Sequence, residues 1–509
     1  MAAPDANAWR VAMDHEMENL KSHSVYELVP RRPGMRTLRL GWVLHRKFQN
    51  GVFDKHKARL VARGNLQRPG IDYGESFSPV MRLESLRVLL SLAALHDLEV
   101  VQFDITSAYL HGTLKEDVYM EQPDGYVECG KESSVWKLLK GLYGLVQAGR
   151  TWNEELDTHM VSEGFTPTAK DPAVYVNGKW GQEDFVAGGF WVDDFIGIGS
   201  GVGLKALGEG INQRYGITGF GDVHWVLGMK LERDRHARTI SVSQEAFIDT
   251  LLTCFGLVDS HTISTPLLPG SRISSADSPT TDEQCREMAS KPYRELVGAL
   301  QWLTLGTRPD IAFAAASLAR FSRDPGLPHW EAARRVLRYL KGTKHWRLKL
   351  GGADSRIYGY TDADWGSNQD DRHSIGAYVF KIGSGAISWK SRKQTCIALS
   401  STEAEYMALC QASKEAVWLT DFLAGLGVSI TNSIPLFVDN QGSIALAKNL
   451  VFHDRSKHVD IQFHYTRELV RKGRIQLEYL STKDMVADVL TKSLPRVQHS
   501  ALTSSMGLS

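Results

Sequence analysis

The sequence predicts an α+β chain built from several units, and three observations carry that prediction. Apolar, β-branched runs of strand length flank an adjacent aspartate pair in FWVDDFIGI, residues 190–198. The stretch PLLPGSRISSADSPTTDEQ, from Pro266 to Gln284, is rich in Ser, Pro, Asp and Thr and reads as a linker over residues 266–292. Residues 293–350 then carry helical patterning, and after Gly351-Gly352 strand-like and helical segments alternate from residue 353 to about 495. The expected order is an antiparallel sheet unit over 1–265, a linker, a helical unit, and an α/β domain with a mixed sheet.

Composition bounds the class without naming it. With 509 residues and 43% hydrophobic content the chain can bury more than one core, and its length corresponds to about three domains. The five cysteines, at 129, 254, 285, 396 and 410, show neither zinc-ligand spacing nor a disulfide framework. No stretch approaches the ~20 apolar residues of a membrane span, and the opening MAAPDANAWRVAMDHEMENL is acidic where a secretory leader would be apolar. A cytoplasmic protein with no membrane partner is the expectation. A net charge of +1 leaves room only for local basic tracks.

In the first unit, Lys55, Lys57, Arg59, Arg63 and Arg68 form one such track. The run VVQFDITSAYLHG reads as a strand that delivers Asp104 to a sheet edge, and the two runs around Asp193 and Asp194 read as strands with that pair at a hairpin tip. Neighbouring carboxylates repel each other, which is tolerable when a divalent cation sits between them and a third acid. A lone Asp-Asp is more often a solvated turn. In the helical unit, Arg334, Arg338 and Lys341 fall at i, i+4, i+7, opposite Val336, Leu337 and Leu340, with Gly342 placed to end the helix. No acid occurs between Glu331 and Asp354, so this face is expected to contact a phosphate backbone. In the last unit, Asp362 follows the strand-like IYGYT, and Glu405 lies in a helix announced by Ser400 and Glu403 at capping-box spacing. Asp439 ends the strand-like PLFV, and Asp488 follows RIQLEYL. Each acid alone would be a surface charge; four in this arrangement suit a site holding two metal ions.

KARLVARG, GIDYGESFSPV, FDITSAYLHG, VYMEQPDGY, LYGLVQAGRTW and WVDD, in that order, resemble the reverse transcriptase of copia-type retrotransposons. YRELVGALQWLTLGTRPDIAFA, HWEAARRVLRYLKGT, YTDADWGS, GAISWKSRKQTCIALSSTEAEYMAL and FVDNQGSIALA resemble the connecting region and ribonuclease H domain of the same polyproteins, so the likeness runs from Trp9 to about Leu494. The resemblance implies a right-hand polymerase with fingers, palm and helical thumb or connection, followed by a ribonuclease H-like domain. It implies an RNA-directed DNA polymerase and endoribonuclease that copies retrotransposon RNA and degrades the RNA strand of the hybrid. The implied partners are an RNA template, a DNA primer or RNA/DNA hybrid, dNTPs and other retrotransposon proteins. The implied cofactor is Mg²⁺, two ions per active site, with Mn²⁺ as the alternative.

Asp104 and Asp193 are the expected principal metal ligands of the palm, with Asp194 the weaker third because neighbours on a hairpin point opposite ways. By resemblance, Tyr109 is the aromatic gate against a ribose 2′-hydroxyl, Gln147 lies against the incoming nucleotide, and Lys57 and Arg59 meet its triphosphate. Asp362, Glu405, Asp439 and Asp488 are the expected ligands of the ribonuclease H site. Trp191 stands where the family has tyrosine before VDD, and Val146 where it has lysine in LYGLKQA. The first change loses a hydroxyl near the primer, and the second a positive charge able to contact phosphate. The loop before Asp488 lacks the histidine common in cellular ribonucleases H, and neither His458 nor His464 is assigned that role. No protease signature, integrase module or zinc knuckle occurs, so the chain is expected to be the polymerase and ribonuclease H portion of a polyprotein. The competing expectations are a non-catalytic nucleic-acid-binding relic, and a ribonuclease H with an inactive polymerase half.

Overall fold

The runs around the aspartate pair form the strands Val186–Trp191 and Asp194–Gly199, at the centre of a six-stranded antiparallel sheet. A computed structural model of the chain describes residues 5–49, 52–271, 273–429, 433–448 and 460–509. In space the sheet runs Ile217–Asp222, Glu99–Ile105, Asp194–Gly199, Val186–Trp191, Asp171–Asn177, Thr166–Thr168. Asp104 thus stands at the end of an interior strand rather than on an edge strand. Side chains alternate across a strand, so Val101, Phe103 and Ile105 face one way and pack with Phe195 against helices Ala148–Ser162 and Gly201–Tyr215. Val100, Ile196 and Ile198 face the other way, against helix Leu83–His96. Both faces are covered, which explains why these strands read as nearly unbroken apolar runs. The Asp171 carboxylate seats the latter helix by accepting from the Arg82 N–H at 2.9 Å and the Ser85 hydroxyl at 2.6 Å. Gly188 and Gly197 make room for the Phe195 ring, because a Cβ at either would lie 2.4–2.5 Å from it.

Ahead of the palm, helix Ala6–Ser22, the hairpin Leu40–Gln49/Val52–Ala62 and a three-stranded sheet of Tyr26–Pro30, Ser134–Lys140 and Thr113–Met120 share a core around Leu20, Leu60, Met120 and Trp136. After the palm, Trp225–Val226, Met229–Asp234 and Thr239–Ser243 pair in series, and Leu348–Gly351 returns from the helical body to complete that sheet. Gly351 has φ +87, and a Cβ there would stand 2.5 Å from the Arg238 carbonyl oxygen, so both conformation and space call for glycine.

The helical body begins earlier than its patterning suggests. Ile248, Leu251 and Leu252 of helix Glu245–Cys254 share one core with helices Tyr293–Gly306, Ala312–Ala319 and Leu327–Gly342. The segment expected as a linker is also built in. It contains helix Asp282–Ala289, capped by Thr281 and Gln284, whose Met288 enters the same core. Polar composition marked it as a linker, but its serines and aspartates serve turns and caps: the Ser274 carbonyl meets His329, Ser275 donates to Asp370, and Gly270 N–H reaches the Ser493 carbonyl.

The last unit is a five-stranded mixed sheet in the order Gly385–Lys393, Ile375–Ile382, Ile357–Asp364, Ile434–Val438, Ile475–Tyr479; the first three strands are antiparallel and the last two join in parallel. Helix Ser401–Gly425 crosses it, and helix Arg496–Ser505 extends the unit beyond residue 495. One hydrophobic cluster runs without a break from Leu86 and Leu89 of the palm helix through Ile240 and Leu350 into Phe380, Leu409 and Leu436 of this sheet and helix. No helix among the described residues is long and apolar enough to cross a membrane.

Candidate active sites

In the palm, Trp191 pairs with Asp194 across a two-residue turn of Val192 and Asp193. Val192 adopts φ +63, where hairpins usually place glycine and where a β-branched residue is strained. The turn is clamped through its carbonyls: Trp152 Nε1 donates to Val192 O at 2.6 Å and Ile105 N to Asp193 O at 2.8 Å. Trp152 belongs to the QAGRTW run, so this support was visible as a motif although its role was not.

Asp194 lies directly opposite Asp104 in the strand register, which sets their Cβ atoms roughly 4.5–5.5 Å apart. Burial and the charges of Asp193 and Asp104 push the Asp194 carboxyl up to about 6. Burial and Asp193 likewise raise Asp104, against the downward pull of Lys57, Lys47 and Arg59. Lys57 is half-buried with Asp104 among its neighbours, and Arg59 lies 4.3 Å over the Tyr143 ring. Tyr109 meets Tyr143 edge-on at 5.1 Å, and burial followed by the Asp193 charge raises its phenol. Lys57, Arg59, Tyr109 and the three aspartates therefore form one cluster.

Gln147 is buried. It is 1% exposed, accepts from Gln67 Nε2 at 3.0 Å and donates to the Asp72 carbonyl at 3.2 Å, because the Gln67–Asp72 loop folds back over it. Its amide pins that loop.

In the last unit, Asp362 near the end of its strand, Glu405 in the second turn of helix Ser401–Gly425, and Asp439 just past Val438 bring ligand atoms within 4.8 Å of one another. Ser400 caps that helix by accepting from Glu403 N–H at 3.2 Å, while the Glu403 carboxylate accepts from Leu399 N–H at 2.7 Å. Asp362 and Glu405 are 1% and 6% exposed, yet Asp362 Oδ1 and Glu405 Oε2 have no hydrogen-bond partner. Burial, then the charges of Asp362 and Asp439, hold the Glu405 carboxyl far above the carboxylate range. Clustered, buried, acceptor-only oxygens without donors are the ligand set of a hard divalent cation, so these residues fit one.

Asp488 is not part of that trio. Lys492 Nζ lies 2.8 Å from Asp488 Oδ1 and 3.3 Å from Asp362 Oδ2, and Thr491 Oγ1 also donates to Asp362. Asp488 nonetheless lies against Asp362: burial and then the Asp362 charge push its carboxyl up to about 7, with Lys492 pulling the other way. Lys492 and Thr491 share the run DMVADVLTK with Asp488, but that run alone does not reveal their role. Thr482 Oγ1 donates to Asp439 at 2.8 Å. His464 is exposed on helix Asp460–Arg471, and His458 lies outside the described residues.

The basic helix face is not the open track expected of it. Arg334 and Arg338 reach Glu331 at 3.2 and 3.8 Å, Lys341 donates to the Ser260 carbonyl, and Lys344 pairs with Asp249 at 2.8 Å. Glu331 lies one turn earlier on the same helix, whereas Asp249 is distant in sequence and a local count of acids misses it.

The reverse transcriptase (RNA-dependent DNA polymerase) family model matches residues 23–269. The chain is 41% identical over 498 residues to the retrovirus-related Pol polyprotein from transposon TNT 1-94 of Nicotiana tabacum, covering 97% of this chain and 37% of that one. It is 35% identical over 506 residues to the corresponding polyprotein from transposon RE1 of Arabidopsis thaliana, covering 98% and 34%. Among solved structures, the foamy viral protease-reverse transcriptase in complex with RNA/DNA hybrid aligns with 96% of this chain and 55% of that one, at TM-score 0.49 and 12% identity. The palm sheet with its aspartate hairpin, together with these sequence matches, places the protein among the reverse transcriptases. Within them, the chain belongs to the retrovirus-related Pol polyproteins of copia-type retrotransposons. It spans about a third of the length of the curated relatives it matches.

Proposed function

We propose that the chain is an RNA-directed DNA polymerase and ribonuclease H that copies retrotransposon RNA into DNA and removes the RNA strand of the hybrid by two-metal chemistry. The observation that supports this most is the buried Asp362, Glu405, Asp439 trio, with two oxygens lacking any donor, on the same chain as the clamped Asp104, Asp193, Asp194 palm turn. These two groups would hold Mg²⁺ or Mn²⁺, which when bound neutralises phosphate charge and readies the attacking oxygen. Lys492 and Thr491 orient Asp362, and Thr482 orients Asp439. In the palm, Lys57 and Arg59 present positive charge to a triphosphate, and the Tyr109 ring closes the space beside it. RNA template, DNA primer and dNTPs are the partners this reading requires, with other proteins of the element and a cytoplasmic setting as further parts of it.

The deciding experiment is primer extension on an RNA template beside cleavage of a labelled RNA/DNA hybrid, each with Mg²⁺ and with chelator. Both activities are expected, and both stop on chelation. Cleavage without extension would instead mean an inactive polymerase half, and neither activity from folded protein would mean a nucleic-acid-binding relic.

A further inference from the structure

Arg87 sits in the palm helix Leu83–His96 and is 4% exposed; apart from Glu84 at 3.9 Å on the same helix, the partners of its side chain lie far away in sequence. Its Nε donates to the Ile387 carbonyl at 2.7 Å, on strand Gly385–Lys393 of the ribonuclease H-like sheet. Its Nη1 donates to the Leu305 and Gly306 carbonyls at 2.7 and 3.1 Å, the last turn of helix Tyr293–Gly306. The guanidinium lies 3.9 Å over the Trp389 ring, and Trp389 Nε1 takes the Thr304 carbonyl of the same helix end at 2.8 Å. A buried cation therefore satisfies the free carbonyls and negative pole of a connection helix while stacking on the ribonuclease H sheet. Palm, helical body and ribonuclease H-like domain meet at this one side chain.

A second contact lies at the rim. Arg82 covers Trp418 at 4.2 Å, Trp418 Nε1 donates to the Lys170 carbonyl at 3.1 Å, and Lys170 pairs with Asp421 at 3.1 Å. Trp418 and Asp421 belong to helix Ser401–Gly425, which also carries Glu405. The rim contact seats the helix that delivers Glu405 on the palm that carries Asp104, while Arg87 ties the palm to the edge strand of the sheet whose third strand delivers Asp362.

We propose that Arg87 is a positioning residue that fixes the ribonuclease H carboxylates at one place relative to the palm carboxylates, so that RNA is cut at a narrow set of distances behind the primer 3′ end. The proposal rests on the dual activity proposed above. Domains in one chain move relative to one another unless their interface is large and apolar or otherwise locked. Here the shared hydrophobic cluster supplies area, and Arg87 supplies direction, because its hydrogen bonds have one geometry.

The test uses the whole chain carrying Arg87→Met, which keeps apolar volume but removes the donors, with Arg87→Lys as the conservative variant. On an end-labelled RNA annealed to a primer with a blocked 3′ end, the parent is expected to give a tight cluster of first cuts. In Arg87→Met the spread should widen at least about twofold, while cleavage of a hybrid lacking that anchor keeps its rate. Arg87→Lys should fall between. A folded Arg87→Met with the parent's cut pattern overturns the proposal. Should Arg87→Met not fold, Arg82→Gln with Lys170→Gln loosens the same junction from its exposed rim, and the same two outcomes apply. A spin-label distance between Glu209→Cys and the exposed Cys396, with Cys129, Cys254 and Cys285 replaced by Ser, needs no activity. A narrow parental distribution that broadens in Arg87→Met supports positioning even if the parent neither extends nor cleaves; unchanged width overturns it.

Discussion

Glu405 is the residue whose setting makes the most specific demand. Its folded-state pKa is raised, so it contributes stability that is present below its unfolded value and lost as pH rises toward its folded value, about 10. Metal-free protein should lose thermal stability on going from about pH 5 to about pH 8, and Mg²⁺ should flatten that decline. Glu405→Gln should raise metal-free stability by about 1–3 kcal/mol, since one unit of pKa shift is about 1.4 kcal/mol, and should reduce the stabilisation by Mg²⁺ to the share contributed by the palm carboxylates. Calorimetry with and without the ion checks both, and a variant that Mg²⁺ stabilises as much as the parent would remove Glu405 from the ligand set. Asp439→Asn should lower hybrid cleavage by about 10²–10³-fold, a loss of several kcal/mol of charge stabilisation, while primer extension on a short template continues. Uncleaved full-length RNA in the extension product is the readout. In the palm, Tyr109→Ala should admit ribonucleotides; unchanged discrimination would make Tyr109 a packing residue.

At the scale of elements, the palm hairpin depends on glycines as much as on aspartates. Gly188→Ala would press a Cβ against the Phe195 ring at 2.4 Å and the Gly197 Cα at 2.7 Å, so it should destabilise the palm by about 1–3 kcal/mol. Primer extension should lose its midpoint temperature first, and an unshifted midpoint would mean that Phe195 repacks freely. The strands, the capped helix at Ser400 and the three clustered acids were legible because each rests on local pattern: alternating apolar runs, cap spacing, acids at strand ends. Gln147 was not legible, because its burial depends on a loop that starts about eighty residues earlier in the chain. Arg87 was hidden in the same way, since LESLRVLLSLAALH reads simply as a helix with one charge on it. Lys344, just past the end of helix Leu327–Gly342, looked free because its partner Asp249 lies on helix Glu245–Cys254. Local sequence shows what an element is; long-range pairing decides which of its groups remain available.

For the whole molecule, the hydrophobic cluster that spans palm and ribonuclease H-like sheet predicts that these two parts unfold together. Heating followed by palm and ribonuclease H probes should give coincident transitions, and two well-separated ones would show that the cluster is two cores in contact. The helical body has a core of its own, and a bidentate Arg308–Asp310 pair, joined by Tyr339 at 2.7 Å, lies buried beneath helix Arg496–Ser505.

The segment from Pro266 to Pro292 is held at Ser493, Asp370 and His329. Such a strap transmits no chain tension, since each hold is made independently of covalent continuity across it. A single protease nick there should leave two fragments on a denaturing gel that still travel as one particle in native buffer. The same stretch is accordingly a place where the chain could be opened, and new ends created, with the architecture on either side left standing.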